Sequence, residues 1–169
     1  DAQQQAAAAD LVREAFGIGD GDRCFTSGPL YHSAPSLFAQ HAMLRGALLV
    51  LEPKFDAERT LALIAEHRIE VAYLVPTMYV RLLRLPEATR RAHDLSSLRF
   101  VASTGSPCPP EVKRAMIDWL GPVIYETYAS SETGLITLMD PRDAERKPGS
   151  AGLPAGPASL RILDAAGHD

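Results

Sequence analysis

Hydroxyls, an imidazole, phenols and carboxylates are concentrated in four short segments of this 169-residue chain. They are Gly28-Pro29-Leu30-Tyr31-His32-Ser33, Pro76-Thr77-Met78-Tyr79, Thr104-Gly105-Ser106-Pro107 and Glu126-Thr127-Tyr128-Ala129-Ser130-Ser131-Glu132. Each follows a short apolar run. A structural domain has no need of such a collection, although connecting loops are polar for solvation reasons in any case. Other chemistries are excluded by spacing. Gly17-Ile18-Gly19-Asp20-Gly21 follows a helical pattern rather than a strand, so it reads as a turn and not a dinucleotide fingerprint. Asp20 and Asp22 lack the distal Glu of a calcium loop. The five histidines show no zinc-type clustering. A G-x-S-x-G elbow and a GxxxxGK[ST] loop are both absent.

The elements that must position these segments alternate along the chain. Arg23–Ser27, Ala47–Glu52, Val71–Val75, Leu98–Ser103 and Pro122–Tyr128 read as strands. Between them lie helical patterns at Ala34–Arg45, after an Asp56 N-cap, and at Met78–Leu85. Another helix follows Pro109–Pro110, with Val112, Ala115, Met116, Trp119 and Leu120 on one face. That spacing predicts Trp119 to be largely buried against a sheet. Residues 1–9, with Leu11, Val12 and Phe16, also read as helix. Strands separated by helices indicate an α/β fold with a mostly parallel sheet and flanking helices. In such sheets ligands bind beyond the carboxyl ends of the strands, where all four segments fall. After Gly134 the texture changes. Leu135–Met139 and Leu160–Leu163 read as strands around a Pro/Gly-rich stretch, so residues 1–169 are expected to form one domain with 135–169 as a β-rich appendage.

Composition fits a globular protein: 46% of residues are hydrophobic and 22% charged, which excludes wholesale disorder. A formal net charge of −4 argues against nucleic acid held by bulk electrostatics. No apolar run approaches the ~20 residues of a membrane span. Cys24 and Cys108 lie far apart without a CxxC, and no secretory leader is evident, so a reducing cytoplasm is the expected location. The chain opens at Asp1 without an initiator Met and is expected to be a piece of something longer.

Five segments in order resemble the adenylate-forming superfamily of acyl-CoA synthetases, luciferases and peptide-synthetase adenylation domains. Pro29-Leu30-Tyr31-His32 is similar to its P-L-[FY]-H motif, and Val75-Pro76-Thr77 to its VPT segment. Thr104-Gly105-Ser106-Pro107 resembles its G-x-[AS]-P loop and Tyr128 to Gly134 its Y-G-x-T-E segment. Arg146 to Pro154 is similar to its R-P-G-S-V-G-x-P stretch. The flavour is that of a fatty-acyl or related carboxylate–CoA ligase, because the Asn-Xaa-Tyr-Gly-Pro-Thr-Glu string of peptide-synthetase domains is absent.

The resemblance implies a two-step reaction. A carboxylate attacks the α-phosphate of magnesium ATP to give an acyl-adenylate, and coenzyme A then displaces AMP. It further implies catalytic roles for Ser131 on a phosphate oxygen, Glu132 as the Mg²⁺ ligand and His32 beside the reacting carboxylate. Nucleotide would be bound by Thr104, Gly105, Ser106, Pro107, Glu126, Thr127, Tyr128 and Ala129, with the Tyr128 ring against adenine. Tyr31, His32, Phe38, Thr77 and Met78 would wall the acyl pocket. Thr127 and Ala129 stand where many members have Gly and add a Cβ beside the nucleotide. The family's Gly/Ser/Thr-rich phosphate loop is not found upstream of Pro29, and its ribose-binding Asp and C-terminal lysine domain would follow Asp169. These residues therefore read as the central part of the large N-terminal domain, inactive alone. The alternative is a non-catalytic nucleotide- or acyl-binding module of the same fold. The expected partners are a small carboxylic acid, ATP and coenzyme A.

Overall fold

Alternation in one central strand sets the layering. Along Val71-Ala72-Tyr73-Leu74, Val71 and Tyr73 enter one apolar cluster and Ala72 and Leu74 another, as the period of two in a strand requires. All four are buried, so both faces of the sheet are covered. The structure is a computed structural model that describes residue 10 and residues 12–168.

The sheet has seven strands in the order β2-β1-β3-β4-β5-β6-β7. These are β1 (Arg23–Thr26), β2 (Leu48–Leu51), β3 (Val71–Leu74), β4 (Phe100–Ser103), β5 (Ile124–Ser130), β6 (Gly134–Met139) and β7 (Leu153–Pro154). The first five in that order run parallel, while β6 and β7 are antiparallel to their neighbours. An α/β fold with flanking helices is what the alternation of elements predicts. Helix α1 (Ser33–Leu44) packs on one face with residues 12–16, through Phe16, Phe38 and Tyr73, whose rings meet edge-on or tilted. The other face carries α2 (Ala57–His67), α3 (Pro76–Leu83) and α5 (Pro110–Leu120), which cover Phe25, Leu74, Val101 and Ile124. Two short helices, α4 (Glu87–Arg91) and α6 (Pro141–Arg146), complete the set.

Local chemistry sets the boundaries. Asp56 caps α2 by accepting the Arg59 N–H at 2.9 Å, as its place before the helix predicts. Pro76 does more than stop β3. It occupies the first turn of α3, so that helix starts two residues before the predicted Met78.

Three expectations need correction. Trp119 is only half-buried: Lys113 and Met116 are the buried residues of α5, and Val112, Ile117, Trp119 and Leu120 flank them. The tryptophan lies near the end of the helix, at the margin of the core, with the Arg90 guanidinium over its ring 5.2 Å from the centroid. Leu160–Leu163 forms no strand, and the pairing with β6 is made by Leu153–Pro154. Of the N-terminal helix, residues 12–16 are helical, whereas residues 1–9 and 11 lie outside the described residues. Among the described residues no helix is long and apolar enough to cross a membrane.

Candidate functional site

The strand order contains a reversal. After β1 the chain passes to β2 on one side, then returns to place β3 on the other side of β1. Loops leaving β1 and β3 therefore diverge, which opens a crevice at the carboxyl edge of the sheet. A cleft of about 660 Å³ lies there, reached by the segments after β1, β3, β4 and β5. Three of those segments meet in its wall through His32, Thr77 and Thr104.

His32 is exposed and holds the N-cap position of α1, where its side chain makes no capping bond and stays free to face the cleft. Tyr31, with its ring centroid 4.6 Å from that of His32, is 85% exposed and does not line the cleft. Thr77 is exposed and Met78 buried, and both line the wall. Phe38 is fully buried behind that wall, on the inner side of α1. The remaining wall is largely apolar, with Phe16, Pro35, Tyr73, Val75 and Leu135 prominent.

Thr104 is buried, whereas Gly105, Ser106 and Pro107 are exposed at the same edge; all but Pro107 line the cleft. Gly105 has φ +88°, a backbone state that L side chains rarely adopt, and a Cβ built there would find only Val75 Cγ1 at 3.9 Å. Glycine is required here by conformation rather than by crowding. Ser103 is level with Glu126 in the β4–β5 pairing, so Gly105 and Tyr128, each two residues further on, lie at one edge.

Within β5 the faces alternate. Thr127 and Ala129 line the cleft, while Tyr128 turns to the opposite face and is 56% exposed. The β5–β6 register shifts between Tyr128 and Ala129. Beyond that irregularity, Ser130 organises the hairpin tip by accepting the backbone N–H groups of Glu132 at 3.2 Å and Thr133 at 3.1 Å. A hydrogen bond from the Ser130 hydroxyl, followed by that from its own backbone N–H, holds the Glu132 carboxyl below the usual carboxylate range. Glu132 is thus an exposed anion at the mouth. Ser131 Oγ lies 3.1 Å from Ser33 Oγ, bridging the segments that follow β5 and β1 across 98 residues of sequence.

Glu126 differs from its neighbours. It is buried, and its carboxylate faces the Lys113 ammonium at 2.5 Å instead of the cleft.

Among the described residues, no lysine, arginine or carboxylate side chain lines the cleft itself. Among the described residues there is also no group of three His, Cys, Asp or Glu that could hold a metal ion. A lone carboxylate such as Glu132 nevertheless suits magnesium, which keeps several waters and is shared with substrate phosphates.

Sequence reasoning placed Ser33 and Ser130 in their segments without a role of their own and did not single out Lys113. Ser130 carried a readable signal, since a Ser followed closely by backbone donors forms such turns. Lys113 carried another, because it lies three residues before the core residue Met116 on an otherwise apolar helix face. Ser33 gave none, because its partner is distant in the sequence.

Residues 2–169 match the family model described as AMP-binding enzyme. Among curated relatives, the indoleacetate–CoA ligase of Aromatoleum aromaticum is 38% identical over 156 residues, covering 88% of this chain and 29% of that protein. The 3-hydroxybenzoate–CoA/4-hydroxybenzoate–CoA ligase of Thauera aromatica is 33% identical, over 94% of this chain and 30% of its own length. The chain thus spans under a third of these relatives. Among solved structures, the amide bond synthetase McbA from Marinactinospora thermotolerans superposes with a TM-score of 0.84 at 26% identity, covering 96% of this chain and 33% of that one. ATP-bound MatB from Rhodopseudomonas palustris gives 0.80 at 26% identity, covering 96% and 32%.

Proposed function

Because the chain belongs to the AMP-binding enzyme family, we propose that it is the adenine and acyl side of an ATP-dependent carboxylate–CoA ligase. Residues 1–169 are the central part of its large N-terminal domain, with 135–169 as a β-rich margin. The observation that carries this reading is the meeting of the β1, β3, β4 and β5 segments around one apolar cleft at the switch point of the sheet.

The residues divide the task by face. Tyr128, with Gly105, Ser106 and Pro107 at the same edge, takes the adenine, for which an exposed ring supplies stacking area. Thr104, Thr127 and Ala129 bound the space between nucleotide and acyl group. Ser131 hydrogen-bonds a phosphate oxygen, and its contact with Ser33 Oγ holds that hydroxyl at the mouth. Glu132 holds magnesium; when bound, the ion offsets the charge of the phosphates. His32 borders the reacting carboxylate, Thr77 and Met78 wall the acyl group, and Phe38 supports that wall from behind.

A cleft walled by Phe16, Pro35, Tyr73, Val75, Met78 and Leu135 favours an apolar acid. The names of the two relatives above, ligases of indoleacetate and of hydroxybenzoates, make an aryl acid the first choice. With no cationic side chain in the cleft, neutralisation of the departing pyrophosphate falls to parts of the enzyme outside these residues. A cytoplasmic location belongs to the same proposal.

The test is ATP–pyrophosphate exchange by the full-length protein, run with a panel of aryl and fatty acids, followed by thioester formation on adding coenzyme A. Exchange that depends on an aryl acid is expected. The second reading, a non-catalytic binding module, rests on the cation-free cleft and the Cβ groups of Thr127 and Ala129. Nucleotide binding without exchange for any acid would establish it.

A further inference from the structure

We propose that the buried Glu126 carboxylate, whose charge Lys113 balances, is a positioning group for the nucleotide side of the site, its Oε1 acceptor fixing the 104–108 loop against the strand that presents Tyr128. This rests on the nucleotide-binding reading above. Lys113 on α5 is 3% exposed and Glu126 on β5 is 7% exposed, with Nζ and Oε2 2.5 Å apart. The other carboxylate oxygen, Oε1, accepts the backbone N–H of Cys108 at 3.3 Å and so tethers the end of the loop that carries Gly105, Ser106 and Pro107. Lys113 Nζ also donates to the Pro148 carbonyl at 3.4 Å and reaches Met139 Sδ at 3.8 Å. Helix α5, strand β5, the 104–108 loop, β6 and the Pro148 segment therefore converge on one ammonium–carboxylate contact.

Glu126 and Tyr128 are two residues apart on a strand and share a face. A shift of the carboxylate therefore moves the loop and the ring relative to each other, which is the spacing an adenine between them would sense. Burying two charges beside Met116 and Ile124 is a poor way to gain stability, because a well-packed apolar pair of similar volume commonly does as well or better. A geometric role accounts for the pair; a stabilising one does not.

The experiment measures ATP affinity by calorimetry and thermal unfolding in the full-length enzyme. It compares Lys113→Met/Glu126→Leu, which fills the space but removes the acceptor for Cys108 N–H, with Lys113→Met/Glu126→Gln, which keeps an oxygen there. The leucine variant is expected to unfold at or above the wild-type temperature yet bind ATP about tenfold more weakly. The glutamine variant is expected to bind within about threefold of wild type, since one neutral hydrogen bond replaces a charged one. Wild-type affinity in the leucine variant overturns the positioning role, and so does equal weakening in both. If the leucine variant does not fold, the single Lys113→Met takes its place: its ATP affinity should fall about tenfold and recover when Glu126→Gln is added, because the orphaned charge is then gone. Unchanged affinity in Lys113→Met overturns the role. Absence of ATP binding by the wild-type enzyme overturns the nucleotide reading itself, and this role with it.

Discussion

The parallel strands and the β5–β6 hairpin tip present opposite kinds of environment at one edge of the sheet. In β3 and β4 every residue is buried, and helices seal both faces. In β5 burial stops at Thr127, and from Tyr128 to Gly134 every residue is exposed. The first region holds its shape through apolar packing. The tip holds its shape through Ser130 turn bonds and the Ser33–Ser131 contact, each a modest interaction at an exposed site. The lesson is a division between a frame that fixes where loops begin and a tip whose side chains remain open to ligand.

The comparison breaks first if the frame is not the source of stability. Phe25, fully buried in β1, should lose about 3–5 kcal/mol on replacement by Ala, measured in denaturant unfolding. A loss under about 1 kcal/mol, within the range of surface substitutions, would show the frame to be loosely packed.

The tip should behave in the opposite way. Glu132→Gln in the full-length enzyme should lower carboxylate-dependent ATP–pyrophosphate exchange on the order of a hundredfold, the scale for losing one electrostatic contact to a reacting group. Its unfolding stability should stay within about 0.5 kcal/mol of wild type. Unchanged exchange would remove Glu132 from the metal role.

Trp119 tests the margin between the two environments. Being half-buried under Arg90, Trp119→Ala should cost about 1–2 kcal/mol, below the usual core value, again by denaturant unfolding. A loss as large as that of Phe25→Ala would place it in the frame after all.

The smallest expected signal comes from the thiols. Burial pushes Cys24 up to about 12 and Cys108 up to about 11, so at pH 8 little of either is thiolate. Alkylation by iodoacetamide at that pH should be slow in the folded protein and fast in denaturant. Rapid labelling of Cys108 in the native state would show that the 104–108 loop opens.

Much of the fold was legible because it rests on local signals. Short continuous apolar runs marked the strands, Asp56 its cap and the Pro109–Pro110 pair the start of α5, each through interactions a few residues long. The errors arose where distant parts compete. Leu160–Leu163 has strand-like composition, but the free edge of β6 is taken by Leu153–Pro154, which the Pro/Gly turn at residues 147–152 brings back first. Trp119 shares the apolar spacing of Met116, but it sits at the last turn of α5, where it packs on the margin of the core with Arg90 over its ring while Met116 is fully buried.

By itself the sequence determined that this chain is an α/β domain whose polar segments follow its strands, and the order of five motifs determined the family they resemble. Residue type and near-neighbour spacing suffice for both. Only the tertiary structure decided that the segments after β1 and β5 touch through Ser33 and Ser131, that Phe38 stands behind the cleft, and that Glu126 turns inward to Lys113. Those facts depend on strand order and on which face each side chain takes. A one-residue change of register would reverse every face, and nothing within a few residues of Glu126 in the sequence encodes the lysine that meets it.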